Sequence, residues 1–239
     1  MSHQFSPPQP DPAMYAPGLP IAKQGTDVRQ RFMTRVYAHL LLAIAGFIAA
    51  EYVLFTTGIA ETIAVFVYQT NWLVILGGFM VVSWMSGRMA SRALTRQAAY
   101  GGLALLVAAN ALLFAAPLFI ANETAPGTIS TAAWLSLGAF AALSGIAITT
   151  SKDFSFLRGV LMWGGVLALC LIVGSVLFGA ALGTWFAVAM IGFAGAAILY
   201  DTQKIYHSYP PDREVVAAMS LFSSLALLFW YVLQLLMRR

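Results

Sequence analysis

The chain is 239 residues long, 60% apolar and only 9% charged, with a mean hydropathy of +0.81, well outside the roughly 45–50% apolar and 25% charged make-up of soluble domains. That balance excludes a disordered chain, a nucleic-acid-binding arm and a secreted disulfide scaffold. The net charge of +4 therefore bears on orientation in a membrane before it bears on any polyanionic partner.

In chain order, residues 1–30 come first, with Pro7, Pro8, Pro10, Pro12, Pro17 and Pro20 among polar residues and no apolar run. They read as a disordered Pro-rich cytoplasmic tail without a secretory leader, and 31–239 as one transmembrane domain. A spanning helix needs about 20 mostly apolar residues, because the hydrocarbon core is about 30 Å thick. Seven stretches meet that requirement, at 36–56, 72–86, 98–120, 131–150, 159–179, 183–201 and 215–237. A barrel's two-residue alternation is missing, so the expected fold class is all-α and polytopic.

The basic residues are one-sided. Lys23, Arg29, Arg31 and Arg35 precede the first span, Arg88, Arg92 and Arg96 follow the second, Lys152 and Arg158 the fourth, and Lys204 and Arg213 the sixth. The opposite loops, 57–71, 121–130 and 180–182, contain no Lys or Arg. This asymmetry predicts a cytoplasmic N-terminus. Seven complete crossings would then leave Arg238 and Arg239 outside; a re-entrant last segment would keep them inside. Seven crossings is the expectation.

Glycines such as Gly101, Gly102, Gly164 and Gly165 suit close helix packing, which in lipid relies on van der Waals contact. Trp163 and Trp230 are expected in the core. Cys170 is the single cysteine, and no CxxC or HExxH occurs. His3, His39 and His207 are dispersed, and Ser223 and Ser224 have no His or Lys on their own helix. No catalytic residue, metal site or cofactor is expected, so the chain reads as a non-enzyme.

Four of the polar residues inside the spans stand out. Glu51, near the outer end of the first, is expected to reach the interface. His39 is expected to be structural, and Asn110 to bond across to a neighbouring helix. Asp201 ends the sixth apolar run, where Ile205 and Tyr206 predict that the helix continues. It reads equally as an interfacial carboxylate paired with Lys204 or as a carboxylate facing the bundle interior.

The segment Leu199-Tyr200-Asp201-Thr202-Gln203-Lys204-Ile205 resembles the signature of the Bax inhibitor-1 family, the transmembrane Bax-inhibitor-motif proteins. Ser151-Lys152-Asp153-Phe154-Ser155-Phe156-Leu157 is similar to the loop between the fourth and fifth spans of bacterial members, and Trp84-Met85 closes the second span before a basic stretch. The resemblance covers roughly residues 30–237. It implies six helices around a central C-terminal seventh and, from several members, a pH-sensitive calcium leak. In those, carboxylates on the last two helices share a proton and an arginine near the end of the second helix competes for them. Two nearby carboxylates cannot both ionise cheaply, so the pair senses protons near neutral pH.

Here Asp201 matches the first carboxylate, whereas Ser224 stands at the second. Glu214 is ten positions, roughly 15 Å of helix, too far away to substitute. The arginine is displaced too, with Ser86 and Gly87 after Met85 and Arg88 the first basic residue. The resemblance thus implies an ion pathway through Asp201, Ser224, Ser223 and Gln203, with Arg88 as the gating counter-charge and weakened or absent pH gating. The expected partners are the lipid bilayer and calcium or another cation, with no nucleic acid, in a plasma or inner membrane. The alternative is a regulator that binds a membrane-bound AAA protease, with the Pro-rich tail as the gripped element. Deleting residues 2–28 would distinguish the two.

Overall fold

A computed structural model describes residues 20–21, 25–93, 95–150 and 152–238. They form helices α1 (Thr26–Thr56), α2 (Ile59–Gln69), α3 (Trp72–Ser91), α4 (Arg96–Thr124), α5 (Thr128–Thr149), α6 (Leu157–Phe178), α7 (Thr184–Ser208) and α8 (Glu214–Met237), and no strand occurs among the described residues. All but α2 are long and apolar enough to cross a membrane. The expected seven spans are therefore present, most of them longer than their apolar cores because polar residues at the ends stay helical.

Two boundaries differ from the sequence reading. The stretch 57–71, expected as a loop, contains α2. Gly58, at φ 76°, turns the chain sharply between α1 and α2 in the left-handed region that glycine adopts without penalty. The proposed tail also ends earlier than residue 30. α1 begins at Thr26, and Ile21 is fully buried, its backbone N–H donating to the Tyr209 carbonyl at 2.8 Å. The rest of the Pro-rich tail, with Lys23, lies outside the described residues.

Helix ends follow local chemistry. Asn71 accepts from the Leu73 N–H at 2.9 Å to start α3, and Thr95 accepts from the Ala98 N–H to start α4. Before α6, the Asp153 carboxylate accepts from the Ser155 N–H at 2.8 Å and from its hydroxyl at 3.0 Å. Those two hydrogen bonds hold the Asp153 carboxyl below the usual carboxylate range.

α8 is the centre. Its spanning window is 61% buried, against 6% for α6, and it packs on α1, α3, α4, α5 and α7. α6 is the loosest of the surrounding helices, leaning chiefly on α7 around Ala168, Ala187 and Met190. The closest crossing is α3 on α4. A Cβ on Gly102 would stand 2.8 Å from both the Ala90 Cβ and the Ser86 carbonyl, so glycine is required there. Ser86 Oγ fastens the crossing by donating to the Gly102 carbonyl at 2.6 Å.

The two ends of the bundle are distinct. At one, Arg96 pairs with Glu214 at 3.5 Å and Arg213 donates to the Ser91 carbonyl. At the other, Arg238 donates to the Leu182 carbonyl at 2.7 Å in the α6–α7 connection. α8 therefore runs from one end to the other, which is the complete seventh crossing rather than a re-entrant segment.

Candidate functional site

α7 continues seven residues, roughly two turns, beyond Asp201, which places that carboxylate inside the bundle rather than at a helix end. Ser224 lies ten residues into α8, near its middle. The hydroxyl of Ser224 donates to Asp201 Oδ2 at 2.6 Å, a short bond of the kind a charged acceptor makes. Of the two readings open at the sequence level, the structure shows the interior one. Lys204 is the charged neighbour acting on Asp201, but its ammonium lies over the Tyr200 ring at 5.6 Å from the centroid. Among the described residues no second carboxylate acts on Asp201.

Beside the pair, Ser144 on α5 and Thr202 on α7 approach to 3.4 Å, both buried, with the Tyr37 hydroxyl of α1 facing them. Three helices thus bring hydroxyl groups to one level of an otherwise apolar core. Ser144 and Thr202 bond each other there, while the buried Tyr37 hydroxyl makes no hydrogen bond among the described residues.

On its other side α8 borders a cavity of about 910 Å³ between α3, α4, α6, α7 and α8. Its polar groups include Ser83, Asn110, Ser175, Ser223 and Gln234, and Arg238, Leu182 and Gly179 mark the end it shares with the α6–α7 connection. Ser223 lines this space while its hydroxyl donates to the Met219 carbonyl at 3.0 Å. The cavity wall is therefore one residue away in sequence from the Ser224–Asp201 bond. Among the described residues lining the cavity there is no carboxylate, and Arg238 is the charged one.

Two residues assigned to the pathway or its gate lie elsewhere. Both amide groups of Gln203 are used on the α5–α6 loop: Oε1 accepts from the Phe154 N–H and Nε2 donates to the Lys152 carbonyl, each at 2.6 Å. Gln203 sits two residues from Asp201, so the helix turns it to a different face, where it holds the loop. Arg88 is exposed, its guanidinium 4.0 Å above the Trp84 ring, a cation–π contact at the helix end. It is not among the groups acting on Asp201.

Three further expectations are corrected. Glu51 is buried, 7% exposed, in an apolar pocket rather than at the interface. Asn110 donates to its own helix, to the Leu106 carbonyl at 2.8 Å, with its side chain bordering the cavity. Trp163 is 70% exposed on the outer face of α6, whereas Trp230 packs edge-on to Phe114 at 5.1 Å as expected. His39 is structural as expected: Nδ1 lies 2.6 Å from the Arg35 carbonyl, to which it donates, and Nε2 lies 2.6 Å from the Tyr100 hydroxyl.

The cavity polar set was missed from sequence because single Ser, Asn and Gln residues in spans are ordinary packing residues. Glu51 had a visible signal. Leu40, Ala43, Phe47 and Glu51 recur at three- and four-residue spacing, so the carboxylate shares the face that packs inward.

Compared with known proteins, residues 29–239 match the family model described as inhibitor of apoptosis-promoting Bax1. No curated protein matches the chain.

Proposed function

This chain belongs to the Bax inhibitor-1 family, and from that premise we propose that it is a cation-leak protein serving ion homeostasis, with calcium as the ion to test first. The supporting observation is the Ser224–Asp201 hydrogen bond, one residue along α8 from Ser223 on the cavity wall. The cavity extends toward Arg238 and its Ser223 wall lies one residue along α8 from the pair; in this reading a cation that leaves it past α8 meets Asp201 as its charged ligand and Ser224 as a neutral oxygen. With one carboxylate there is no shared proton, so pH gating is weak or absent.

This reading makes the protein a non-enzyme of a plasma or inner membrane, with the basic end of the bundle in the cytoplasm. The test is calcium flux through purified protein in liposomes, wild type against Asp201→Asn. A leak above that of protein-free vesicles, changed severalfold by the substitution, is expected. Equal flux from protein-containing and empty vesicles would overturn the reading, and the regulatory alternative would then take its place.

A further inference from the structure

A second acidic site lies away from Asp201, toward the other end of α1. Glu51 is 7% exposed and Ser136, on α5, is 1% exposed, and both border a pocket of about 250 Å³ between α1, α4, α5 and α8. Neither Glu51 oxygen has a hydrogen-bond partner, and neither does the Ser136 hydroxyl. Glu51 is the only titratable residue lining the pocket among the described residues; apart from Ser136, the rest of the wall is apolar or aromatic. Four phenylalanines contribute: Phe47 meets Phe114 at 5.4 Å and Phe222 at 6.3 Å, and Phe114 stacks on Phe229 at 5.5 Å. Two lining residues, Ile48 and Leu137, are exposed on the outer surface of the bundle, so the rim faces hydrocarbon.

An unpartnered carboxylate in such surroundings is costly unless it takes up a proton or a cation accompanies it. Three oxygens, two from Glu51 and one from Ser136, fall short of the six to eight that a calcium ion takes. An aromatic wall attracts organic cations through the ring quadrupoles, most strongly where water is excluded, and the apolar rim admits a molecule that partitions into lipid. We propose that Glu51, Ser136 and the phenylalanine wall form a binding site for a small lipophilic organic cation, a protonated amine or quaternary ammonium, entering from the bilayer. The ammonium pairs with Glu51, and its hydrocarbon part lies against Phe47, Phe222 and Phe229.

The test is equilibrium binding of radiolabelled benzyltrimethylammonium to the full-length protein in detergent, with neopentylbenzene, its uncharged carbon isostere, as competitor. Saturable binding is expected, displaced at least tenfold better by unlabelled cation than by the isostere and weakened at least tenfold in Glu51→Gln. Absence of saturable binding to wild type, equal displacement by the isostere, or unchanged affinity in Glu51→Gln would overturn the proposal. If Glu51→Gln does not fold, the wild-type protein decides: bound cation should protect Glu51 from a hydrophobic carbodiimide, read by peptide mass spectrometry, and modification at an undiminished rate would overturn it.

Discussion

Ser224 Oγ and Asp201 Oδ2 stand 2.6 Å apart, hydroxyl donating to carboxylate across the α7–α8 contact. An aspartate at 224 would put a second acid group within the same few ångströms, where like charges force one proton to be shared. Ion flux through the wild-type protein is therefore expected to be nearly flat between about pH 6 and 8, and Ser224→Asp to introduce a steep dependence across that window. Liposome flux titrations check both. Asp153 in the α5–α6 loop adds no slope to stability there. Asp153 has a lowered folded-state value, so its contribution is complete above the unfolded carboxyl value of about 4 and is lost only as pH falls below it.

Ser224→Ala removes the hydrogen-bond donor and leaves the interior carboxylate without it. The expected loss is about 1–3 kcal/mol, the cost of stranding a buried polar group. Thermal unfolding in detergent measures it. Asp201→Asn should lose less, because an amide oxygen still accepts from Ser224.

Gly102→Ala drives a methyl group into Ala90 and the Ser86 backbone, and overpacking of this kind costs about 1–3 kcal/mol. Gly77→Ala, with nothing within 4 Å of the added carbon, should be neutral or slightly stabilising because alanine is the better helix former. The two midpoints compared side by side test the α3–α4 crossing.

Arg238 contributes the charge at the cavity mouth and disfavours cation entry. Neutralising it in Arg238→Gln is expected to raise calcium flux severalfold at low salt and to have less effect at high salt, where screening already weakens the repulsion.

Removing residues 2–19 leaves buried Ile21 and all of α1 in place. Calcium flux should survive that truncation. Removing 2–28, the cut the sequence reading pointed to, takes away Ile21 and the first turn of α1, so a lower melting temperature is expected from it. Thermal unfolding and flux on both truncations separate loss of fold from loss of the tail.

Long apolar runs made the seven crossings legible, and the single Asp201 with Ser224 opposite was legible through the motif around it. Gln203 was not, because a motif gives chain order while the 100° turn per helical residue sends positions 201 and 203 to different faces. Glu51 was misplaced by reasoning from distance to the helix end alone. The inward face of Ala43 and Phe47 outweighs a side chain's ability to reach the interface. Asn110 was misassigned because a cavity is a property of five helices together, which no one segment reports.

The bond from the Ile21 N–H to the Tyr209 carbonyl ties the chain ahead of α1 to the hinge joining α7 and α8. Tension applied at the amino terminus is thus delivered to that hinge before α1 is loaded. The loop between α7 and α8, the two helices that carry Asp201 and Ser224, is thus the part of the bundle that a grip on the amino terminus reaches first.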